Sequence, residues 1–350
     1  MNCNSQPLVS VVTPAYNEQK HLAECIESVL AQTYKNWDYT ILDNQSTDRS
    51  VEIATRYAQS DSRIRVVRNS QHLPMIQNHN AALRQISPDS KYCKLLFGDD
   101  WMFPECLQRM VSLAEEQASI GVVGAYRLQG QQVTCTGLPY STTLVSGREI
   151  CRDQFLRGLY VFGSATNVLY RADLVRSHDP FYNEANIHGD TEALFVLFKA
   201  CDFGFVHQVL TYTRMEQDSQ RTTSDDMAFN VPAKLRLLLH HGADFLTPQE
   251  LTICLEQHLS DYYRFFGKSL LLGRDRTFWD YHKERMAELN VPFSRSRVIR
   301  GALAELGDAI LNPKHSLEKL RRRRKLARKA SGTIQAHTSK TSTEPVSRIA

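Results

Sequence analysis

Along the first 126 residues the apolar positions alternate between two rhythms. Leu8-Val-Ser-Val-Val12 is a short, β-branched, almost continuous apolar run closed by Thr13-Pro14. Such a run predicts a strand buried on both faces, as in parallel sheets. The next stretch, 18–32, places Leu22, Ile26, Val29 and Leu30 at helical spacing. The same exchange continues, with strands expected over 37–42, 64–67, 92–97 and 122–126. Helices are expected from Thr47-Asp48 through Tyr57, over 75–86 and over 104–117. Pro104 falls near a first turn, where its missing N–H does no harm. This alternation predicts an α/β fold, a Rossmann-like, mostly parallel sheet with helices on both faces. From about Met227 the texture turns helical, over 231–245, 248–272, 277–290 and 294–311. A helical C-terminal region is therefore expected after the sheet domain.

Composition narrows the class. A length of 350 residues at 42% hydrophobic content allows one large domain or two smaller ones with a sizeable core. No apolar run approaches the ~18 residues of a membrane span. Residues 1–7 lack the apolar core of a secretory signal, so a cytoplasmic protein is expected. The eight cysteines are scattered and form no C-x-x-C pair, which predicts reduced core residues rather than a disulfide framework or zinc site. The net charge of +4 is unevenly spread, because residues 314–330 hold nine Lys/Arg against one Glu. The body before them is mildly acidic. With Leu317, Leu320 and Leu326 as a thin apolar stripe, 314–330 suits peripheral contact with an anionic membrane, on the inner face of the cell membrane. A solvated basic tail is the alternative. Nucleic acid is not expected as a partner, because no aromatics interleave with the charges. Residues 331–350 are rich in Ser and Thr and poor in apolar residues, a composition that does not build a core.

Ligands of such sheets bind beyond the C-terminal strand ends. The first expected strand ends in Thr13-Pro-Ala-Tyr-Asn-Glu18, the second in Leu42-Asp-Asn-Gln-Ser-Thr-Asp48, the fourth in Leu96-Phe-Gly-Asp-Asp100. An acid recurs at one edge three times. Crowded carboxylates repel unless a positive charge sits among them, and Mg²⁺ or Mn²⁺ sharing its shell with substrate phosphates would serve. The alternative is that Asp43, Asp48 and Asp99 are turn and cap residues. That suits Asp48 better than Asp99, whose neighbour Asp100 exceeds what a cap requires. His72, His79, His188 and His207 lack the spacing of metal ligands, although His188 stands two residues before Asp190.

The ordered set VSVVTPAYNE, ILDNQSTDRS and KLLFGDDWMFP resembles glycosyltransferase family 2, whose fold is GT-A. RNSQHLPMIQNHNAAL, with Asn78 and Asn80, GSATNVLYRADL and GDTEALFVLFKA follow in that family's order, so the resemblance covers roughly 7–222. It implies a nucleoside-diphosphate-sugar donor, commonly a UDP-sugar, a glycan or lipid-linked acceptor hydroxyl, and inverting displacement. It implies that Ala15, Tyr16, Glu18, Asp43 and Asn80 line the nucleotide site, and that Asp99, at the last acid of the D-x-D motif, binds the nucleotide through the cation. Asp190 would be the general base, with Glu192 as the fallback. Three departures stand out. Phe97 replaces the first acid of D-x-D, so that metal affinity would be lower or Asp100 would assist. Asn44-Gln45 replaces the common Asp-Gly. Glu216 stands where a late His is usual and would itself ligate the metal, or else the late metal contact is lost. Arg214 and Arg221 are diphosphate candidates, or else surface ion-pair partners. Trp101 would floor the sugar, or else staple the next helix.

On this reading 1–226 is the GT-A catalytic domain, 227–312 the helical region and 313–350 a basic tail. Three other classes are weighed. A nucleotidyltransferase would want a Gly-rich phosphate loop with Arg or Lys after the first strand, where this chain has Pro14-Ala-Tyr-Asn-Glu18. A dehydrogenase would need G-x-G-x-x-G, which is absent. A non-catalytic nucleotide-sugar binder or scaffold is motivated by Phe97 and Glu216.

Overall fold

The computed structural model describes residues 6–215 and 227–311. Glu216, Arg221 and the basic run 314–330 lie outside the described residues. Two compact units divide the chain, Met1–Glu256 and Gln257–Ala350.

The first unit is built on one sheet. Its strands are β1 (Val9–Ala15), β2 (Trp37–Asp43), β3 (Ile64–Arg68), β4 (Tyr92–Leu95), β5 (Trp101–Met102), β6 (Ile120–Gln129), β7 (Gln132–Thr134), β8 (Leu144–Val145), β9 (Leu169–Arg171) and β10 (Asp202–Thr213). The order is β3-β2-β1-β4-β9-β6-β10-β5, with β7 on β6 and β8 on β10. β1 runs parallel to β2 and β4, β2 to β3, and β10 to β6. β9 is antiparallel to both β4 and β6 and so inserts between two parallel halves. The expected mixed α/β sheet is present, but β9, only three residues long, gives too short a pattern to be seen in advance.

Helices cover both faces. α1 (Leu22–Leu30), α2 (Ser50–Ser60) and α4 (Cys106–Glu116) pack on one side. There Leu22, Ile26, Ala54, Leu107 and Met110 meet Val9, Val11 and Ile41. α3 (Met75–Leu83), α5 (Gly147–Arg157) and α7 (Gly189–Leu197) pack on the other, with α6 (Ala172–Arg176) and α8 (Asn230–Phe245). Here Ile76, Ile150, Phe155, Leu194, Phe195, Leu238 and Phe245 share a core with Val12 and Leu42. β1 thus sends Val9 and Val11 to one core and Val12 to the other, as the strand period of two requires. Every residue of β1 is buried, which explains its unbroken apolar run. The seven described cysteines are free and buried.

α9 (Pro248–Leu271) starts in the first unit and ends in the second, followed by α10 (Arg276–Glu288) and α11 (Arg295–Leu311). These ends match the helical periodicity closely. The second unit has its own aromatic core, in which Tyr262 stacks on Phe266 and bonds His282 Nδ1 at 2.7 Å. No described helix is long and apolar enough to cross a membrane.

Candidate functional site

Because β2, β1 and β4 run parallel in register, their C-terminal ends share one rim. Ala15 pairs with Asp43, and Leu96 N–H donates to the Val12 carbonyl at 2.9 Å. The loops after β1 and β2 brace each other. Asn17 and Gln45 adopt left-handed conformations at φ 55 and 65. At Gln45 this is the conformation that glycine takes without steric cost, which gives the missing Gly of the family pattern a physical meaning. Thr47 N–H donates to Asn17 Oδ1 at 2.8 Å, and Glu18 N–H to Ser50 Oγ at 2.7 Å. Asp48 accepts from Gln19 N–H at 3.0 Å and from Ser50 N–H at 2.9 Å, so it ties loop to helix. Burial would raise its carboxyl, but the Ser50 and Gln19 bonds outweigh that and lower it. Asp48 is thus an anchor at a helix entry, although α2 itself starts at Ser50.

Asp43 is 2% exposed. Its Oδ1 accepts from Ser46 N–H at 3.1 Å, and Arg68 Nε stands 3.1 Å from Oδ2 without hydrogen-bond alignment. Oδ2 therefore keeps acceptor capacity at the strand end. Asn44 organises the wall beside it, exchanging bonds with Leu73 and accepting from Asn69. Tyr16, half exposed, packs its ring 4.5 Å from that of His72. Asn80 is 1% exposed and its carboxamide is committed, accepting from Tyr182 N–H and donating to the Tyr182 carbonyl and Glu184.

The acid pair lies one strand over. A Cβ on Gly98 would come 2.9 Å from Glu18 Cγ, so the bare glycine lets Glu18 lie against the backbone next to Asp99. Asp99 is half-buried and its carbonyl accepts from Arg214 Nε at 3.2 Å. Asp100 is 1% exposed. Burial and the neighbouring Asp99 charge push its carboxyl up to about 7, against the pull of Thr166, Arg214 N–H and Arg127. Arg214 N–H donates to Asp100 Oδ1 at 3.1 Å, while its guanidinium pairs with Glu24. No group of three metal-ligating side chains occurs among the described residues. Two adjacent carboxylates, one of them lifted by burial and by its neighbour's charge, nevertheless fit a divalent cation that completes its shell with phosphate oxygens. Trp101 belongs to β5 and stacks on Tyr212, with centroids 4.9 Å apart, while the Phe103 ring lies tilted against it at 4.7 Å.

Asp190 sits in the first turn of α7, whose N-cap is His188. It is not the N-cap; its Oδ1 accepts from Thr191 within that turn, N–H at 2.7 Å and hydroxyl at 3.5 Å. Burial raises its carboxyl, while Thr191 N–H, His188 and Arg127 pull it back. His188 in turn is lowered by burial. Glu192, two residues on, faces elsewhere. It accepts from Asn186 at 2.8 Å and Asn183 at 3.1 Å, with His241 Nε2 at 3.5 Å, and lines a separate cavity of about 580 Å³ with Phe181, Asn183 and Val196.

Arg127 and Arg68 escaped the sequence reading. Arg127, 8% exposed on β6, is in register with Thr211 of β10, whose strand mate Thr213 reaches Asp100. On its other side Arg127 bonds Thr134 at 3.2 Å, beside Cys135. Its charge favours the ionised forms of both Asp100 and Asp190, so both carboxyls stand within electrostatic reach of one guanidinium. A charged residue in the apolar run Ile120–Gln129 was the available signal.

Residues 10–178 match the family model described as glycosyl transferase family 2. EpsE of Bacillus subtilis (strain 168) is 38% identical over 122 residues, which is 35% of this chain and 43% of EpsE. The chain spans about half the length, or less, of the curated relatives it matches first. The S. aureus TarS 1–349 complex with UDP-GlcNAc superposes with a TM-score of 0.60 at 16% identity, covering 80% of each chain. The mannosyltransferase PcManGT of Pyrobaculum calidifontis, in complex with GDP-Man and Mn²⁺, superposes with a TM-score of 0.51 at 12% identity, covering 87% of this chain and 88% of its own. The fold is GT-A.

Proposed function

Given that residues 10–178 form a glycosyl transferase family 2 domain, we propose that this chain transfers a sugar from a nucleoside diphosphate, UDP being the expected carrier, to an acceptor hydroxyl with inversion. One observation carries the reading. Asp43, Asp99 and Asp100 stand at the ends of parallel strands along one rim, and the Arg127 guanidinium couples that rim to Asp190.

In this reading Ala15, Tyr16 and Glu18 line the nucleotide, Asp43 beside Arg68 accepts from the base, and Asn80 positions the 182–184 wall. Asp99 and Asp100 would hold Mg²⁺ or Mn²⁺, with Glu216, outside the described residues, as the further ligand. A bound cation neutralises charge developing on the diphosphate. Arg214 and Arg221 add guanidinium contacts to the same oxygens. Asp190 takes the proton from the acceptor hydroxyl. The acceptor oxygen bonds the anomeric carbon as the bond to the diphosphate breaks, and the leaving nucleotide carries away the electron pair. Glu192 is the weaker base, because its carboxylate is already saturated with donors. Trp101 frames the sugar end of the rim. TarS and PcManGT support the donor class and the cation by their bound ligands, and the residues 1–226 hold every group the reaction uses.

The test is a panel of nucleotide sugars scanned by thermal shift and turnover with Mn²⁺, Mg²⁺ or EDTA. At least one UDP-sugar should stabilise the protein with cation and be consumed, and Asp99→Ala and Asp190→Ala should abolish consumption. If no nucleotide sugar stabilises the protein under any condition, a non-catalytic scaffold of the same fold replaces the enzyme.

A further inference from the structure

The second unit carries an apolar face that its own packing does not use. On α11, Ile299, Leu303, Leu306 and Ile310 are 55, 64, 45 and 77% exposed. At 3.6 residues per turn these four fall within an arc of about 60°. The packed face of α11 is a different one. Val298 and Ala302 are buried, and a Cβ on Gly301 would come 2.4 Å from the Tyr263 carbonyl of α9.

Charge follows the same division. The acids Glu305 and Asp308 are held by Arg264, whose Nε lies 2.8 Å from Glu305. Arg295, Arg297 and Arg300 are exposed, with Arg295 and Arg300 flanking the apolar row. The chain then continues into 314–330, with its nine Lys/Arg.

We propose that α11 docks on an anionic lipid bilayer, lying in the headgroup layer with Ile299, Leu303, Leu306 and Ile310 inserted and the basic residues on lipid phosphates. A narrow apolar row edged by cations is the pattern of an interfacial helix. At 17 residues α11 spans about 25 Å, and its charges keep it on the surface rather than across it. Lipid is favoured over a second copy of this chain by the charge, since pairing two such faces would bring two sets of exposed arginines together. The inference is independent of whether the rim of the first unit turns over a sugar.

The experiment is co-sedimentation of the full chain with phosphatidylcholine vesicles containing about one third phosphatidylglycerol, against phosphatidylcholine alone. The full chain should partition onto the anionic vesicles, and roughly tenfold less onto neutral ones or at high salt. A combined Ile299→Ser, Leu303→Ser, Leu306→Ser and Ile310→Ser variant should lose a similar factor while keeping its circular dichroism, because these side chains are exposed. If that variant does not fold, Arg295→Glu with Arg300→Glu should show the same loss. Equal partition of variant and parent, or no preference for anionic vesicles, overturns the proposal. So does an oligomer that the serine variant dissolves without any change in vesicle binding.

Discussion

Asp190 is subject to two opposed influences, burial that favours its neutral form, and the Thr191 N–H bond with the His188 and Arg127 charges that favour the carboxylate. Burial wins, so its carboxyl titrates above the ~3.9 of a solvated aspartate. As a base it works only when ionised, and the acidic limb of kcat/KM should therefore lie above that value. Arg127→Gln removes a cation that stabilises the ionised form, and the limb should move to still higher pH. Asp190→Asn should cost about 10²–10⁴-fold in kcat, with the donor-induced thermal shift kept. A pH–rate profile of the three proteins checks this, and an Arg127→Gln limb that stays in place would sink the coupling. At this scale the acids were legible because each interrupts an apolar strand end. Arg127 was not, because its partners Thr134 and Thr211 come from strands that meet it only after folding. Asn80 was placed in the nucleotide wall from its neighbours in the sequence, yet its amide is spent on residues more than 100 positions away.

Between elements, α7 is positioned by its second acid. Glu192 is 8% exposed and reaches the 183–186 loop and α8 together. The His241 imidazole, then the Asn186 and Asn183 amides and the Arg236 charge, hold its carboxyl down at about 2 against the opposing effect of burial. A carboxyl depressed in the folded state stabilises the fold above its unfolded value near 4.3. That contribution is lost as pH falls from there through about 2. Glu192→Gln should lower the melting temperature at pH 7 and flatten its fall between pH 5 and about 2, as calorimetry across that window would show. An unchanged acid profile would mean that His241 and the asparagines are not what holds α7. The elements themselves were largely readable from local rhythm: β1 to β4, β6, α1 to α4 and the four C-terminal helices lie close to their expected places. What was not readable is β9 and the pairing of β10 with β6, because strand neighbours distant in sequence leave no periodic trace.

At the scale of the molecule, every described residue proposed to touch donor or cation lies in the first unit, whereas the second has a separate core around Tyr262, Phe266 and His282. A ligand that binds only the folded form stabilises what it binds by mass action, about 2.7 kcal/mol at a hundredfold excess over Kd. With UDP and Mn²⁺ that stabilisation should be confined to the cooperative unit that contains the rim. Hydrogen exchange should therefore slow in β1, β2 and β4 and in the loops carrying Glu18, Asp43 and Asp99. Exchange in α10 and the end of α11 should stay as it was. Addition of EDTA should reverse most of the gain if Asp99 and Asp100 hold the nucleotide through a cation, because without it their mutual repulsion faces the diphosphate. Protection that rises equally in both units would show one cooperative structure instead. Protection of the rim that survives EDTA would remove the cation from the donor site while leaving the nucleotide in it.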